Sequence, residues 1–134
     1  MQAGLPVLAD TQFTELDFRR LSRLAAAHAA GELAETLDLA DVVPGRAIDA
    51  SVVTMYSQFE LEDEGTHERR TLSICYPPDA QPATGFISVL SPMGRSLIGR
   101  RAGAQVRWST PGGEHSGRIG AVLFQPEASG DYVT

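Results

Sequence analysis

The segment SPMGRSLIGRRAGAQVRWSTPGGE, residues 91–114, carries most of the information about the fold of this chain. It contains two prolines, five glycines and four arginines between two apolar runs. Ser91 is a good N-cap residue, Pro92 suits the first turn of a helix, and Gly99 suits its end. This punctuation predicts a two-turn helix over residues 92–99.

The glycines of this segment also suggest two kinds of functional loop, and their spacing fits neither. A phosphate-binding loop needs G-x-x-x-x-G-K-[ST], or G-x-G-x-x-G after a strand, and the glycines at 94, 99 and 103 match neither pattern. A nucleophile elbow needs G-x-S-x-G, but Ile98 stands where the second glycine is required. The residues TPGG at 110–113 instead predict a turn that closes a β-hairpin.

Five stretches of the chain have the pattern of strands in a half-buried sheet, in which apolar and polar residues alternate. They are SVVTMYSQFELED from residue 51, RRTLSICY, FISVL, AQVRWST and GRIGAVLF. The segments between them contain turn residues, as in EDEGTHE and PPDAQPATG. Together with the short helix, they predict an α+β domain built on an antiparallel sheet over residues 51–134.

Residues 1–50 have a helical pattern. Thr14 is a good N-cap followed by acidic residues, and apolar residues then recur at helical spacing up to a break at Gly31. A second helical stretch, ELAETLDLAD, ends before a linker at 43–50. We expect a short antiparallel coiled-coil helical hairpin that projects about 20 Å. The residues predicted at its tip are Gly31, Glu32 and Glu35.

The composition is that of a folded globular protein, with 43% hydrophobic and 21% charged residues. A formal net charge of -6 argues against free-standing binding to DNA or RNA, which draws on a basic field. The N-terminus does not have the pattern of a secretory signal, and no apolar run approaches the ~20 residues of a membrane span. We therefore expect a cytoplasmic protein without membrane attachment, and a monomer is the simplest prediction.

Neither the cysteine nor the histidines indicate a catalytic or metal site. Cys75 lies in an apolar strand pattern, which favours a buried small residue over a reactive thiol. His28, His67 and His115 lack the paired spacing of metal ligands. We predict no catalytic residue, no metal and no cofactor.

The arginines of the segment at 91–114 call for a further explanation. Four of them lie within thirteen residues, whereas the whole chain has eleven basic residues. They are Arg95, Arg100, Arg101 and Arg107. A solvated face is one interpretation, and a surface that docks another protein is the other, because arginine is favoured at interfaces.

The same segment resembles the C-terminal domain of the bacterial Gre transcript-cleavage factors, whose signature reads SP-x-G-x-(A/S)-L-(L/I)-G and continues to TPGG. Two further stretches, SVVTMYSQFEL at 51–61 and QPEASGDY at 125–132, resemble a branch of that family, the regulators of nucleoside diphosphate kinase (Rnk). The resemblance implies an FKBP-like fold for residues 51–134. It also implies that the partner is RNA polymerase, bound near its secondary channel.

The resemblance further implies which residues contact the polymerase. In Gre factors the loop and helix start that correspond to Ser91, Pro92 and Met93 grip the polymerase. On their charge we add the neighbouring residues Arg95, Arg100 and Arg101 to the predicted binding surface. Any contact with DNA or RNA would then occur only within the polymerase complex.

The chain departs from the cleavage factors at the hairpin. Their acidic tip residues help to hold a magnesium ion and a water in the polymerase active site. Here Glu32 and Glu35 are present, but they are not an adjacent acidic pair. A hairpin of about 20 Å is also short for reaching down a channel. We expect a regulator of transcription elongation that binds without stimulating cleavage.

Two other functions stay open. FKBP-like folds include prolyl isomerases, which need a pocket of aromatic side chains, but the aromatic residues at strand positions suit a core better. These residues are Trp108, Phe86, Tyr76, Phe59 and Phe124. A direct complex with nucleoside diphosphate kinase is the other possibility, and an indirect effect on that enzyme through transcription is equally compatible with the residues.

Overall fold

The computed structural model describes residues 11–133. The expectation that the first residues form no secretory signal lies outside this range. The strands of the described chain are β1 (Gln12–Thr14), β2 (Asp41–Val43), β3 (Gln58–Asp63), β4 (Arg69–Cys75), β5 (Phe86–Ser88), β6 (Gln105–Thr110) and β7 (Gly113–Phe124). Its α-helices are α1 (Glu15–Ala27), α2 (Gly31–Asp38) and α3 (Pro92–Leu97).

The main sheet has five strands in the order β5-β4-β3-β7-β6. Three of its four pairings are antiparallel, and β4 pairs with β5 in parallel. The α+β class and the five strands are confirmed, but the sheet is mixed. The segment PPDAQPATG forms two short 3-10 turns and carries the chain back to Ser73, so that β5 runs parallel to the last three residues of β4.

The first predicted strand is shorter than its sequence pattern suggests. Residues 52–57 form a loop before β3, and the alternation there reflects burial on several sides rather than a pleat. Tyr56 has a φ of 65° and turns the chain. The Ser57 hydroxyl accepts a hydrogen bond from the Thr54 amide at 2.9 Å, which closes the loop on itself.

The two N-terminal helices form as predicted, with corrected ends. Thr14 caps α1, since its hydroxyl accepts a hydrogen bond from the Asp17 amide at 3.0 Å. The connection between the helices is 28–30, with Ala29 at a φ of 50°, so that Gly31 is the first residue of α2 and not the break. At eight residues α2 is only about 12 Å long. The parallel pairing of β1 with β2, at the two ends of this hairpin, was not predicted.

The hairpin packs on the sheet, and the prediction that it projects from the fold is wrong. Leu21 of α1 and Leu33 and Leu37 of α2 are buried in the same hydrophobic cluster as Leu97 of α3 and Val106 of β6. Each buried leucine contributes about 2 kcal/mol of burial free energy. The helices therefore share one hydrophobic core with the sheet. The predicted linker at 43–50 runs from the end of β2 through a 3-10 turn at Gly45–Ala47.

The aromatic residues are divided between the core and the surface. Phe59 is fully buried, and Tyr76 and Trp108 pack against the core while partly exposed. Phe86 and Phe124, which we had expected in the core, are 39% and 47% exposed. Phe86, Ser73, Gln58 and Phe124 are successive neighbours across four strands of the sheet. Their side chains therefore lie on the same face of the sheet, which is its outer face.

Cys75 is buried, as predicted, at the end of β4. Its Sγ lies 3.6 Å from the carbonyl oxygen of Ile87, and burial raises the pKa of the thiol. A thiol with a raised pKa is a poor nucleophile. Within residues 11–133, no helix is both long enough and apolar enough to cross a membrane.

A carboxylate buried between α1 and the loop at 52–57 ties the hairpin to the sheet. The Asp17 side chain is buried and accepts a hydrogen bond from the Met55 amide at 3.2 Å. Burial, with a smaller contribution from the nearby Glu127 carboxylate, raises the pKa of Asp17 to about 7. The Met55 amide and the Arg20 guanidinium oppose this rise. The sequence showed Asp17 only as an acidic residue of the first helical turn.

We predict that Asp17→Asn removes a pH-dependent loss of stability. The folded pKa is about 7 and the ordinary value is 3.8, so the native state keeps a proton that the unfolded chain has lost. Stability from this group is therefore present at low pH and is lost as pH rises from about 4 through 7. Urea unfolding should show the variant gaining about 2–3 kcal/mol relative to wild type between pH 5 and pH 8. A constant difference across that range would contradict the prediction.

Candidate docking surface

The turn that enters α3 is built around the Ser91 hydroxyl. Its oxygen accepts a hydrogen bond from the Gly94 amide at 3.1 Å and donates one to the Ser88 carbonyl at 2.7 Å. Pro92 follows at the first helical position, where its fixed φ suits a helix start. The predicted N-cap at Ser91 and helix start at Pro92 are thus confirmed. The Ser91 hydroxyl acts within the fold, because it caps the helix and joins it to the end of β5.

Gly94 allows α3 to lie against the end of β5. A Cβ atom on Gly94 would lie 2.0 Å from the carbonyl oxygen of Ser88, far inside contact distance. At the other end of the helix, Gly99 has a φ of 78° and turns the chain beside Phe13. Before Gly94, at the start of the helix, Pro92 and Met93 are partly exposed at the surface.

Arg95 connects three elements of the fold. One guanidinium nitrogen, Nη1, donates to the carbonyl oxygen of Leu90 at 2.9 Å. The other, Nη2, donates to the Glu32 carboxylate at 2.6 Å. The Arg95 side chain is 24% exposed and that of Glu32 is 76% exposed. The structure therefore brings together a residue predicted at the hairpin tip and one predicted on the docking surface, while Glu35, one turn later, is exposed.

The other arginines of the segment at 91–114 lie in two different places. Arg100 and Arg101 follow the end of α3, where Arg100 donates to the Gln105 carbonyl at 3.2 Å. Arg101 is 44% exposed and lies 3.8 Å from the Asp49 carboxylate. Arg107 lies on β6 and is exposed. The four arginines thus do not form one continuous rim around the helix.

A cleft of about 440 Å³ opens between α2, α3 and β6. Its lining includes two arginines and the tryptophan, together with Glu32 and several small polar side chains. The lining residues are Glu32, Thr36, Pro92, Arg95, Ser96, Arg107, Trp108 and Ser109. Sequence reasoning missed the part played by Thr36, Ser96, Trp108 and Ser109. One signal was available, since Pro92, Arg95 and Ser96 recur at the spacing of one helix face.

The histidines are each accounted for by local contacts or exposure. His67 lies 3.2 Å from the Glu62 carboxylate in the turn between β3 and β4. The His115 ring stacks on Trp108 at a centroid distance of 5.5 Å, and its Nε2 lies 2.8 Å from the Thr110 hydroxyl. His28 is exposed at the end of α1. In the described part of the chain, no group of three or more histidine, cysteine or acidic residues is placed to hold a metal.

Residues 48–123 match the family described as "Transcription elongation factor, GreA/GreB, C-term". The chain belongs to this family. The matched region contains the capped turn, α3 and the hairpin of β6 and β7 described above. The resemblance of residues 91–114 to Gre factors is therefore confirmed.

Two curated relatives are similar in sequence to this Gre-family chain. It is 36% identical over 93 residues to the transcription elongation factor GreA of Methylobacterium nodulans, covering 69% of this chain and 59% of that protein. It is 32% identical over 98 residues to the regulator of nucleoside diphosphate kinase of Escherichia coli K12, covering 72% of each. The aligned region thus spans about three fifths of the GreA factor, whereas it covers more of the shorter regulator.

A solved structure supports the fold of this Gre-family chain. The GreA/GreB transcription elongation factor from Nitrosomonas europaea matches it with a TM-score of 0.72 and 30% sequence identity. That match covers 85% of this chain and 99% of the other. The predicted α+β fold of the Gre C-terminal type is confirmed.

We predict that Gly94→Ala destabilises the protein by about 2–3 kcal/mol, because the added methyl group collides with the Ser88 carbonyl in a packed turn. Gly31→Ala is the matched control. A Cβ there meets nothing within 4 Å, and alanine is the better helix former. Urea unfolding should show the first variant losing stability and the second keeping or gaining it. Equal midpoints for Gly94→Ala and wild type would contradict the proposed packing.

Proposed function

We propose that this Gre-family protein binds bacterial RNA polymerase near its secondary channel and regulates transcription elongation without stimulating transcript cleavage. The docking surface is the turn and start of α3, with Arg95 in the helix and two arginines that follow its end. The residues are Ser91, Pro92, Met93, Arg95, Arg100 and Arg101. The observation that supports this proposal best is that the family's signature residues form one rigid turn at the surface.

Rigidity matters because a preformed surface loses little conformational freedom on binding. The turn is fixed by the Ser91 cap, by the contact of Gly94 with Ser88 and by the bond from Arg95 to Leu90. Pro92 and Met93 then offer partly exposed apolar atoms from a fixed backbone. Among residues 11–133, the ion-pair partner of the Arg101 guanidinium is Asp49, at 3.8 Å. This pairing of an apolar centre with a charged margin suits a protein interface.

The geometry of the hairpin supports the absence of cleavage stimulation. The helices α1 and α2 have 13 and 8 residues, which correspond to about 20 and 12 Å. Both pack on the sheet, so their connection is not carried away from the fold. Glu32 and Glu35 are three residues apart rather than adjacent, and Glu32 pairs with Arg95. Two separated carboxylates, one of them beside an arginine, are a poor ligand set for magnesium.

We predict that Arg101→Glu weakens binding to purified bacterial RNA polymerase about tenfold, because it reverses a charge at the margin of the interface. Pro92→Ala should weaken binding less. Arg70→Glu is the control, since Arg70 is exposed at the start of β4, whereas α3 lies beside Ser88, which pairs with Cys75 at the other end of that strand. Biolayer interferometry near physiological ionic strength would measure the affinity of each of the three variants and of wild type for the polymerase. Ser91 is left unchanged, because its loss would disturb the helix cap.

Two outcomes would overturn the docking proposal. One is the absence of saturable binding by a folded wild-type protein. The other is an equal loss of affinity in Arg70→Glu and Arg101→Glu, which would mean that overall charge rather than this surface governs the association.

We predict that the protein, at concentrations that saturate polymerase, does not accelerate RNA cleavage in a backtracked elongation complex. The physical reason is that the chain cannot bring paired carboxylates to the active site. The measurement is the rate of transcript shortening, with a GreA factor added to a parallel reaction as the positive control. Acceleration above the intrinsic rate would show that the hairpin reaches the active site after all.

A second candidate function is direct regulation of nucleoside diphosphate kinase. The observation that favours it is the similarity to the Escherichia coli regulator of that name over 72% of this chain. Adding the protein to the purified kinase and measuring phosphate transfer would decide between a direct effect and one through transcription. A prolyl isomerase pocket receives no comparable support, because Phe86 and Phe124 are exposed on the outer face of the sheet.

A further inference from the structure

We propose that the cleft between α2, α3 and β6 is a binding site for a small oxyanion, of the phosphate or carboxylate class, which displaces Glu32 from Arg95. The cleft shares Pro92 and Arg95 with the proposed docking surface, but its ligand is a different one, and binding of that ligand can be tested on the protein alone. Its central group is the guanidinium of Arg95, and its second charged group is Arg107.

Arg95 is already arranged to receive an oxyanion. The bond from Nη1 to the Leu90 carbonyl fixes the plane of the guanidinium, and Nη2 then faces a carboxylate oxygen at 2.6 Å. A planar guanidinium held in this way presents its remaining donors in a geometry that suits carboxylates and phosphates. Glu32 shows that an oxyanion fits at this position.

The intramolecular carboxylate is one that a ligand can replace. The Glu32 side chain is 76% exposed, and ion pairs with an exposed partner contribute little net free energy. When Glu32 is released, its side chain regains conformational freedom in water, and this entropy offsets part of the free energy lost with the ion pair. An anion in solution therefore competes with a weakly held group rather than with a buried one.

The rest of the cleft supports an anionic ligand larger than a single ion. Arg107 adds a second positive charge in a chain whose net charge is -6. The hydroxyls of Ser96 and Ser109 donate to Met93 and Glu114, so the guanidinium groups are the main donors. Trp108 supplies an apolar wall. The volume of about 440 Å³ lies within the range of small-molecule sites, roughly 300–1,000 Å³.

The experiment uses Trp108 as a built-in reporter, because the chain contains one tryptophan and it lines the cleft. The full-length protein is titrated with pyrophosphate, inorganic phosphate and succinate at constant ionic strength, and tryptophan fluorescence is recorded. A parallel titration with potassium chloride corrects for screening. We expect a saturable change with at least one of these anions. Tighter binding of the phosphates would identify phosphate as the ligand class, and tighter binding of succinate would identify carboxylate.

Three variants test the geometry of the site. Arg107→Ala should weaken anion binding by about tenfold or more, because a charge-assisted hydrogen bond is lost. Glu32→Gln should strengthen it about two- to fivefold, because the competing carboxylate is gone. Arg118→Ala should leave it unchanged, since Arg118 lies on β7 and donates to the Gly103 carbonyl. All three positions are exposed, so the variants should keep the fold.

The gain in affinity on removing Glu32 is a result that a purely structural role for the ion pair would not produce. The proposal would be overturned by the absence of a saturable change in Glu32→Gln, or by equal affinities of wild type and Arg107→Ala. Because polymerase is absent from this experiment, neither result bears on the docking proposal.

Discussion

The close approach of Gly94 to the Ser88 carbonyl determines where α3 lies, and the functional surface depends on that position. With the helix seated against the end of β5, the Ser91 hydroxyl can both cap the helix and bond back to the strand. Arg95 then lies one turn further, where it meets the Leu90 carbonyl and the Glu32 carboxylate. The turn, the contact between helix and hairpin, and the cleft beside them all follow from one missing methyl group.

Local features were predictable from the sequence because short-range chemistry decides them. Thr14 and Ser91 cap helices through side-chain oxygens that reach amides three residues away, and residues with this chemistry can be recognised without knowing the rest of the fold. The turn at 110–113 and the strands on either side of it follow equally from turn residues and from alternation. These features account for the sheet and for the outline of the docking turn.

Features that depend on distant residues were not predictable. The apolar residues at 52–57 have the alternation of a strand, but they are buried because helices and sheet enclose them from several sides. Asp17 has the sequence position of a solvated helix-start acid, yet the loop at 52–57 covers it. The pairing of Glu32 with Arg95 joins residues 63 positions apart, and the spacing of charges along the chain carries no sign of it. The packing of the hairpin on the sheet explains all three failures.

The shared core of hairpin and sheet also limits how the length of the hairpin can be engineered. Leu21, Leu33 and Leu37 fill space beside Leu97 and Val106, so the helices and the sheet should unfold in one cooperative transition. A chimera that replaces this hairpin with a longer coiled coil would leave that apolar surface without its cover. Lengthening the hairpin in this scaffold therefore requires a redesigned sheet face as well as a new pair of helices.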